Sequence, residues 1–299
     1  MTSRPSAEPP LLPPLLAIFA LAVGAASGLF AAVAEASIVI AIGVGVVMTL
    51  GTAFLVTRRE RRRRRIAREP FPPAWRTVLE EQVAYYRGLD VAGRARFERE
   101  VAIFLDEQRV TGPRGAPLAD DLRVLVAASA VALAFGRPGY RYPTTRDVVV
   151  YDDAFGDDYE VDAGGPILGM VHAQGPILFS AKALRAGFRG AHDGRNVGYH
   201  ELAHVLDFDG GPADGVPALM PLARIAPWTR VMAHESRQLE RRLESRRKTV
   251  LRPYALTNEA EFFAVATEVF FEQPRMLKTK HPELYDLLRE TYRQDPAAS

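Results

Sequence analysis

Cysteine is absent from all 299 residues. That excludes disulfides, thiol nucleophiles, iron–sulfur clusters and Cys-ligated zinc, so any metal must be held by His, Asp or Glu. Histidine is scarce too, with six in the chain at positions 172, 192, 200, 204, 234 and 281. Charge is nearly missing from residues 11–56, where Glu35 is the lone charged side chain. Overall charge of one sign is also lacking, since the net is +2, but the distribution is uneven: residues 1–70 carry nine Arg and four Glu, against 29 basic and 32 acidic residues beyond them. The basicity is therefore local. With 48% hydrophobic and 25% charged residues, the composition argues against general disorder and leaves room for one large or two modest domains.

The uncharged stretch is far longer than the about 20 residues one membrane crossing needs. Glu35 divides it into two spans, about 11–34 and 36–56, predicting a transmembrane helical hairpin within an anchor at residues 1–57. Gly24, Gly28, Gly43 and Gly45 are small residues of the kind that let helices approach closely in lipid. The Ala32-Val33-Ala34 tripeptide offers a competing reading, a signal-peptidase site that would remove the first span. Seven arginines fill the eight positions from Arg58 to Arg65, interrupted by Glu60. Directly after a span this is the positive-inside signal, with anionic lipid head groups as natural partners, and it orients the rest of the chain toward the cytoplasm at the cell (inner) membrane. No aromatic residues are interleaved with the arginines, so nucleic acid is not expected as a ligand. The Arg-rich segment runs through the Pro-rich linker to residue 73, and residues 74–299 form the remaining domain.

That domain reads as α+β and mostly helical. Helices are expected near 75–87, 92–108 and 119–135, the last apolar almost all round and too short to cross a bilayer, hence a buried core helix. Short strands are expected at 147–151, 166–171 and 176–179. The segment 175–180 is either an open edge that an extended peptide joins as an added strand or an ordinary inner strand. A helix over 227–247 is dense in Arg and Glu at spacings of three and four, a solvated face.

The most informative segment is Tyr199-His200-Glu201-Leu202-Ala203-His204, a His-Glu-x-x-His motif. Four residues on a helix return to nearly the same face, so both imidazoles can meet one zinc ion at about 2.0–2.1 Å while Glu201 leans toward a metal-bound water as general base. Asp207 and Gly210 stand where the extended three-His motif needs Gly and His, excluding that class. A later helix containing Glu261 and Glu268 offers carboxylates seven residues apart on one face. Either is a candidate third ligand, and an amphipathic stripe is the alternative. His172, His192, His234 and His281 read as ordinary polar residues.

The run His200 to Asp207, then Asp214-Gly215-Val216-Pro217, Tyr254-Ala255, Asn258-x-x-Glu261-Phe262-Phe263-Ala264-Val265 and Glu268-x-Phe270-Phe271 resembles the zinc-dependent peptidases of the Mlc titration factor A family, over roughly residues 70–292. The resemblance implies a zincin-like, gluzincin-like metallopeptidase domain with Zn2+ on His200, His204 and Glu261, Glu201 as general base, and Tyr254 beside the reacting carbonyl. A family named for a repressor also implies a regulatory protein partner. On chemistry alone Tyr254 can donate its hydroxyl to an oxyanion or serve as a core tyrosine. Asp207 either orients a histidine from behind or caps the helix end, and Glu268 is a further candidate for such support. The sequence thus predicts a membrane-anchored zinc metallopeptidase acting on peptide or protein substrates, with a protein-binding regulatory module of the same fold as the alternative.

Overall fold

A computed structural model describes residues 21–27, 29, 38–143, 147–152, 169–171, 175–190, 192–208 and 213–298. Glu35, His172 and most of the first expected span lie outside the described residues. The chain divides into two compact units, Met1–Glu69 and Pro70–Ser299.

In the first unit, helix α1 (Ile38–Ile66) runs through the arginine cluster and ends only at residue 66. Arginine is a good helix former and neither Gly nor Pro occurs between the cluster and Pro70, so the charged segment extends the helix rather than ending it. Residues 21–27 are also helical, and buried Gly24 packs so tightly on Gly45 and Thr49 that a side chain there would collide with them. Among the described residues no single helix is long and apolar enough to cross a membrane. Two segments, Ile42–Phe54 and Thr57–Ile66, bent by 41°, reach that length together.

The second unit opens with α2 (Pro73–Gln82), α3 (Ala84–Arg87) and α4 (Val91–Glu107). One helix was expected over 75–87, but the backbone breaks at Val83, which is extended at φ −101° and ψ 95°. Strand β1 (Val110–Thr111) leads to α5 (Asp120–Ala134), whose Asp120 and Asp121 suit the positive end of the helix dipole. Eleven of its fifteen residues are buried, as an apolar body requires.

Strands β2 (Val148–Tyr151), β3 (Gly169–Val171) and β4 (Ile177–Ser180) join β1 in a four-stranded sheet of order β1-β2-β4-β3. The pairs β1–β2 and β2–β4 are parallel, with Val148 opposite Ile177, and β3 lies antiparallel to β4 with Val171 opposite Ile177. The Ile177–Ser180 strand is therefore an inner strand, which removes the open-edge reading of 175–180. Among the described strands the sheet edges are β1 and β3.

Ser180 ends β4 and caps α6 (Ala181–Arg189) by accepting from the Ala183 N–H at 3.2 Å. Helix α7 (Val197–Phe208) packs on α5 at Gly198, where any side chain would meet the Ser129 hydroxyl. Helix α8 (Leu222–Glu244) begins five residues before Pro227, which sits inside it. Helices α9 (Glu259–Glu272), α10 (Pro274–Lys280) and α11 (Pro282–Tyr292) close the unit, with α9 packed along α7. Phe263, Phe270 and Tyr292 stack within a core that also buries Trp228 completely.

Candidate metal centre

Helix α7 carries the motif on a buried face. Asn196 begins it: its carboxamide oxygen accepts from the Tyr199 N–H at 3.2 Å and its carbonyl from the His200 N–H at 3.0 Å. Asn258 does the same for α9, its side chain accepting from Glu261 N–H at 2.9 Å. Two capped, packed helices thus hold the functional side chains in fixed register.

His200, His204 and Glu261 converge, with ligating atoms all within 4.8 Å of one another. Glu261 Oε2 stands 2.9 Å from His200 Nε2 and 3.5 Å from His204 Nε2. That oxygen is buried and accepts no well-directed hydrogen bond. A buried carboxylate oxygen without a directed donor costs free energy unless a cation meets it, and two imidazole nitrogens face the same point. This donor set of two nitrogens and one oxygen fits a divalent cation of the zinc type. No other trio of candidate ligands is found among the described residues.

Glu268 stands behind the cluster. Its Oε1 lies 2.7 Å from His200 Nδ1 and also meets Arg252, while its Oε2 accepts from the Asn196 N–H at 2.7 Å. A bound metal would displace the Nε2 proton, and Glu268 would keep the remaining proton on Nδ1 so that the Nε2 lone pair meets the cation. Burial would lower the His200 pKa, but the Glu268 charge and the close contacts with Glu261 and Glu268 raise it, so the metal-free imidazole holds both protons. Burial would raise Glu261, yet the two imidazoles bring it well below the usual carboxylate range.

Glu201 is 4% exposed, and burial raises its pKa against the pull of His200 and His204. Tyr254 lies on a 3-10 turn, Pro253–Leu256, with its ring 5.9 Å from that of His200. Burial, then the charges of Glu261 and Glu201, push its hydroxyl up to about 12, so it stays a donor at neutral pH. The structure therefore gathers His200, Glu201, His204, Tyr254, Glu261 and Glu268 in one place.

Asp207 stands apart from the cluster. Its Oδ2 accepts from the Gly215 N–H at 2.9 Å, and the Gly215 carbonyl accepts from Trp228 Nε1 at 2.7 Å. Its hydrogen bond fixes Gly215 and reaches no imidazole. Burial pushes its carboxyl up to about 6. His192 bonds the Glu272 carbonyl, His234 pairs with Gln238 and His281 with Glu235, each away from the cluster. Sequence reasoning missed Asn196 and Arg252. Asn three residues before Tyr199 is a legible cap signal, whereas nothing near Arg252 marks it as a partner of Glu268.

The family model described as glucose-regulated metallo-peptidase M90 matches residues 57–293. The uncharacterized protein slr2042 of Synechocystis sp. is 32% identical over 244 residues, 79% of this chain and 89% of that protein. Mlc titration factor A of Edwardsiella ictaluri is 32% identical over 216 residues, 67% of this chain and 81% of that protein. For Mlc titration factor A of Serratia proteamaculans the figures are 34% over 154 residues, 50% and 58%.

Proposed function

The chain belongs to the family of glucose-regulated M90 metallo-peptidases, and from that membership we propose that it is a zinc-dependent metallopeptidase of gluzincin-like arrangement, anchored in the membrane by the apolar stretch of residues 11–56 that precedes the arginines. Its substrates are peptides or proteins on the cytoplasmic side of the cell membrane. The observation that carries this reading is the convergence of two Nε2 atoms and the undirected Glu261 oxygen beside a buried Glu201.

His200, His204 and Glu261 hold the metal, and a bound zinc ion supplies Lewis acidity toward the scissile carbonyl and a lowered water pKa. Glu268 fixes the His200 tautomer through Nδ1, and Arg252 pairs with the same Glu268 oxygen. Glu201, with a pKa raised by burial, accepts a proton from the attacking water and returns it to the leaving amine. Tyr254 keeps its hydroxyl proton and donates a hydrogen bond to the oxygen that gains charge as the carbonyl becomes tetrahedral.

A second reading has its own support in the relatives named Mlc titration factor A. There the same unit grips a regulatory protein and turnover is incidental. A binder has no use for a general base, so Glu201 separates the two. The full chain in detergent should bind one zinc per molecule and cleave members of a peptide library. Glu201→Gln should keep the zinc and lose about 10²–10⁴-fold in turnover. Zinc-free protein under zinc saturation would overturn the metal, and wild-type turnover by Glu201→Gln would overturn the mechanism.

A further inference from the structure

The second unit contains a cavity of about 940 Å³ that none of His200, Glu201, His204, Tyr254 or Glu261 lines. Its apolar wall combines the rings of Tyr85, Phe135, Phe188, Tyr199 and Phe271 with Leu89 and Met276 among others. Phe188 and Phe271 both pack on Tyr199, at 6.0 and 5.3 Å between centroids, and Tyr85 packs edge-on against Phe135 and Phe271. A concave site of this size with apolar walls and a few convergent polar groups is the usual form of a small-molecule pocket.

The charged groups are mainly guanidinium. Arg87, Arg96, Arg275 and Arg293 all line the cavity. Arg96 lies 3.6 Å from the Phe135 ring centroid and donates to the Phe135 carbonyl at 3.1 Å. Arg87 donates to the carbonyls of Glu80 and Glu81. Among the described residues Arg87, Arg96 and Arg293 form no ion pair with a carboxylate. The two carboxylates of the lining are engaged elsewhere: Glu272 accepts from the His192 N–H at 2.6 Å and from Asn196 Nδ2 at 3.2 Å, and Asp295 accepts from the Tyr285 hydroxyl at 2.6 Å. Four guanidiniums thus face two carboxylates, one of which, Asp295, also lies 3.8 Å from Lys278 Nζ, so positive charge is in excess beside the aromatic rings, and guanidinium is suited to a planar carboxylate, which it meets with two parallel N–H donors.

We propose that this cavity binds a small organic acid, its carboxylate held by the arginines and its ring-sized apolar body against the aromatic wall. The site stands independently of the peptidase reading, because it uses none of the metal cluster. The probe is 2-naphthoate, compared with its uncharged isostere 2-naphthamide by equilibrium dialysis of the full chain against detergent-matched buffer. One naphthoate should bind per chain, and the amide at least tenfold more weakly. The double variant Arg87→Gln/Arg293→Gln, with both positions exposed, should lose at least tenfold in naphthoate affinity at an unchanged melting temperature. The acid–amide comparison needs only the unaltered chain, so it decides even if the variant folds poorly. Equal binding of acid and amide, undiminished binding by a folded double variant, or no naphthoate binding at millimolar concentration each overturns the proposal.

Discussion

At the scale of single residues, the two glutamates of α9 do different work although they share a helix face. Glu261 reaches both Nε2 atoms, whereas Glu268 reaches His200 Nδ1 from behind. Glu261→Ala should therefore abolish high-affinity zinc binding, while Glu268→Gln should weaken it by about 10–100-fold, as expected for a group that orients a ligand. Chelator competition measures both, and the reverse order would mean the ligand assignment is shifted by two turns. Helical spacing brought out His200 and His204 because four residues return to a common face, and Glu201 came with them as part of the motif. The same rule left Glu261 and Glu268 equivalent, since seven residues also return to one face, and only the position of α9 against α7 separates them. Asp207 gives a pH test. Its folded pKa, raised by burial to about 6, lies above the ordinary carboxylate value, so the folded state holds the proton more tightly than the unfolded chain. The stability this contributes is complete below about pH 4 and is lost as pH rises through about 6, on the order of 3 kcal/mol by pH 8. In urea melts of chelator-treated protein, Asp207→Asn should gain on the wild type between pH 5 and pH 8. A constant difference between the two would show that burial does not govern this carboxyl.

At the scale of elements, the caps decide where the metal helix starts and what it meets. Asn196 is 1% exposed and joins three things: the first turn of α7 through its oxygen, Glu272 through Nδ2, and Glu268 through its backbone N–H. Asn196→Ala removes the first two and keeps the third. It should cost about 2 kcal/mol, from a lost cap and from a buried carboxylate left one donor short, while zinc affinity changes little because Glu268 keeps its backbone donor. Denaturant midpoints and zinc titration separate these effects, and a large fall in zinc affinity without loss of stability would contradict the division. Helices with strong internal signals were legible, α5 from its apolar run and α9 from Asn258 ahead of a long apolar body. Two boundaries were not. The break at Val83 carries no Gly or Pro, and Pro227 looked like a helix start because proline favours the first turn. In the fold Pro227 lies within α8, which forgoes one backbone hydrogen bond there. The position of β4 inside the sheet was hidden too, because pairing partners distant in sequence leave no mark in a four-residue strand.

At the scale of the whole molecule, the chain joins an apolar, arginine-ended unit to a unit that carries the candidate chemistry, and the division falls at Pro70, within a run whose prolines interrupt helices. The charge asymmetry between them was plain in the sequence. The extension of α1 through the arginines was not, since a positive-inside reading treats them as the end of a span and helix propensity does not. The proposed anchor makes a further prediction about where the enzyme works. Arginine costs about 2.5–3.5 kcal/mol at the centre of an inserting helix, so a cluster of seven neither hides in the hydrocarbon nor crosses readily. On the proposed anchoring it would stay in the cytoplasm, and residues 70–299, which follow it, would stay there with it. Removal of the first apolar segment by a signal peptidase would leave that side unchanged, because the arginines lie beyond the cleavage point. Reporter fusions after residue 70 should accordingly read as cytoplasmic, the full chain should sediment with membranes, and externally added protease should spare residues 70–299 in intact cells while degrading them after lysis. Digestion in intact cells would place His200, Glu201 and His204 outside, and the substrates would then have to be peptides or proteins beyond the membrane.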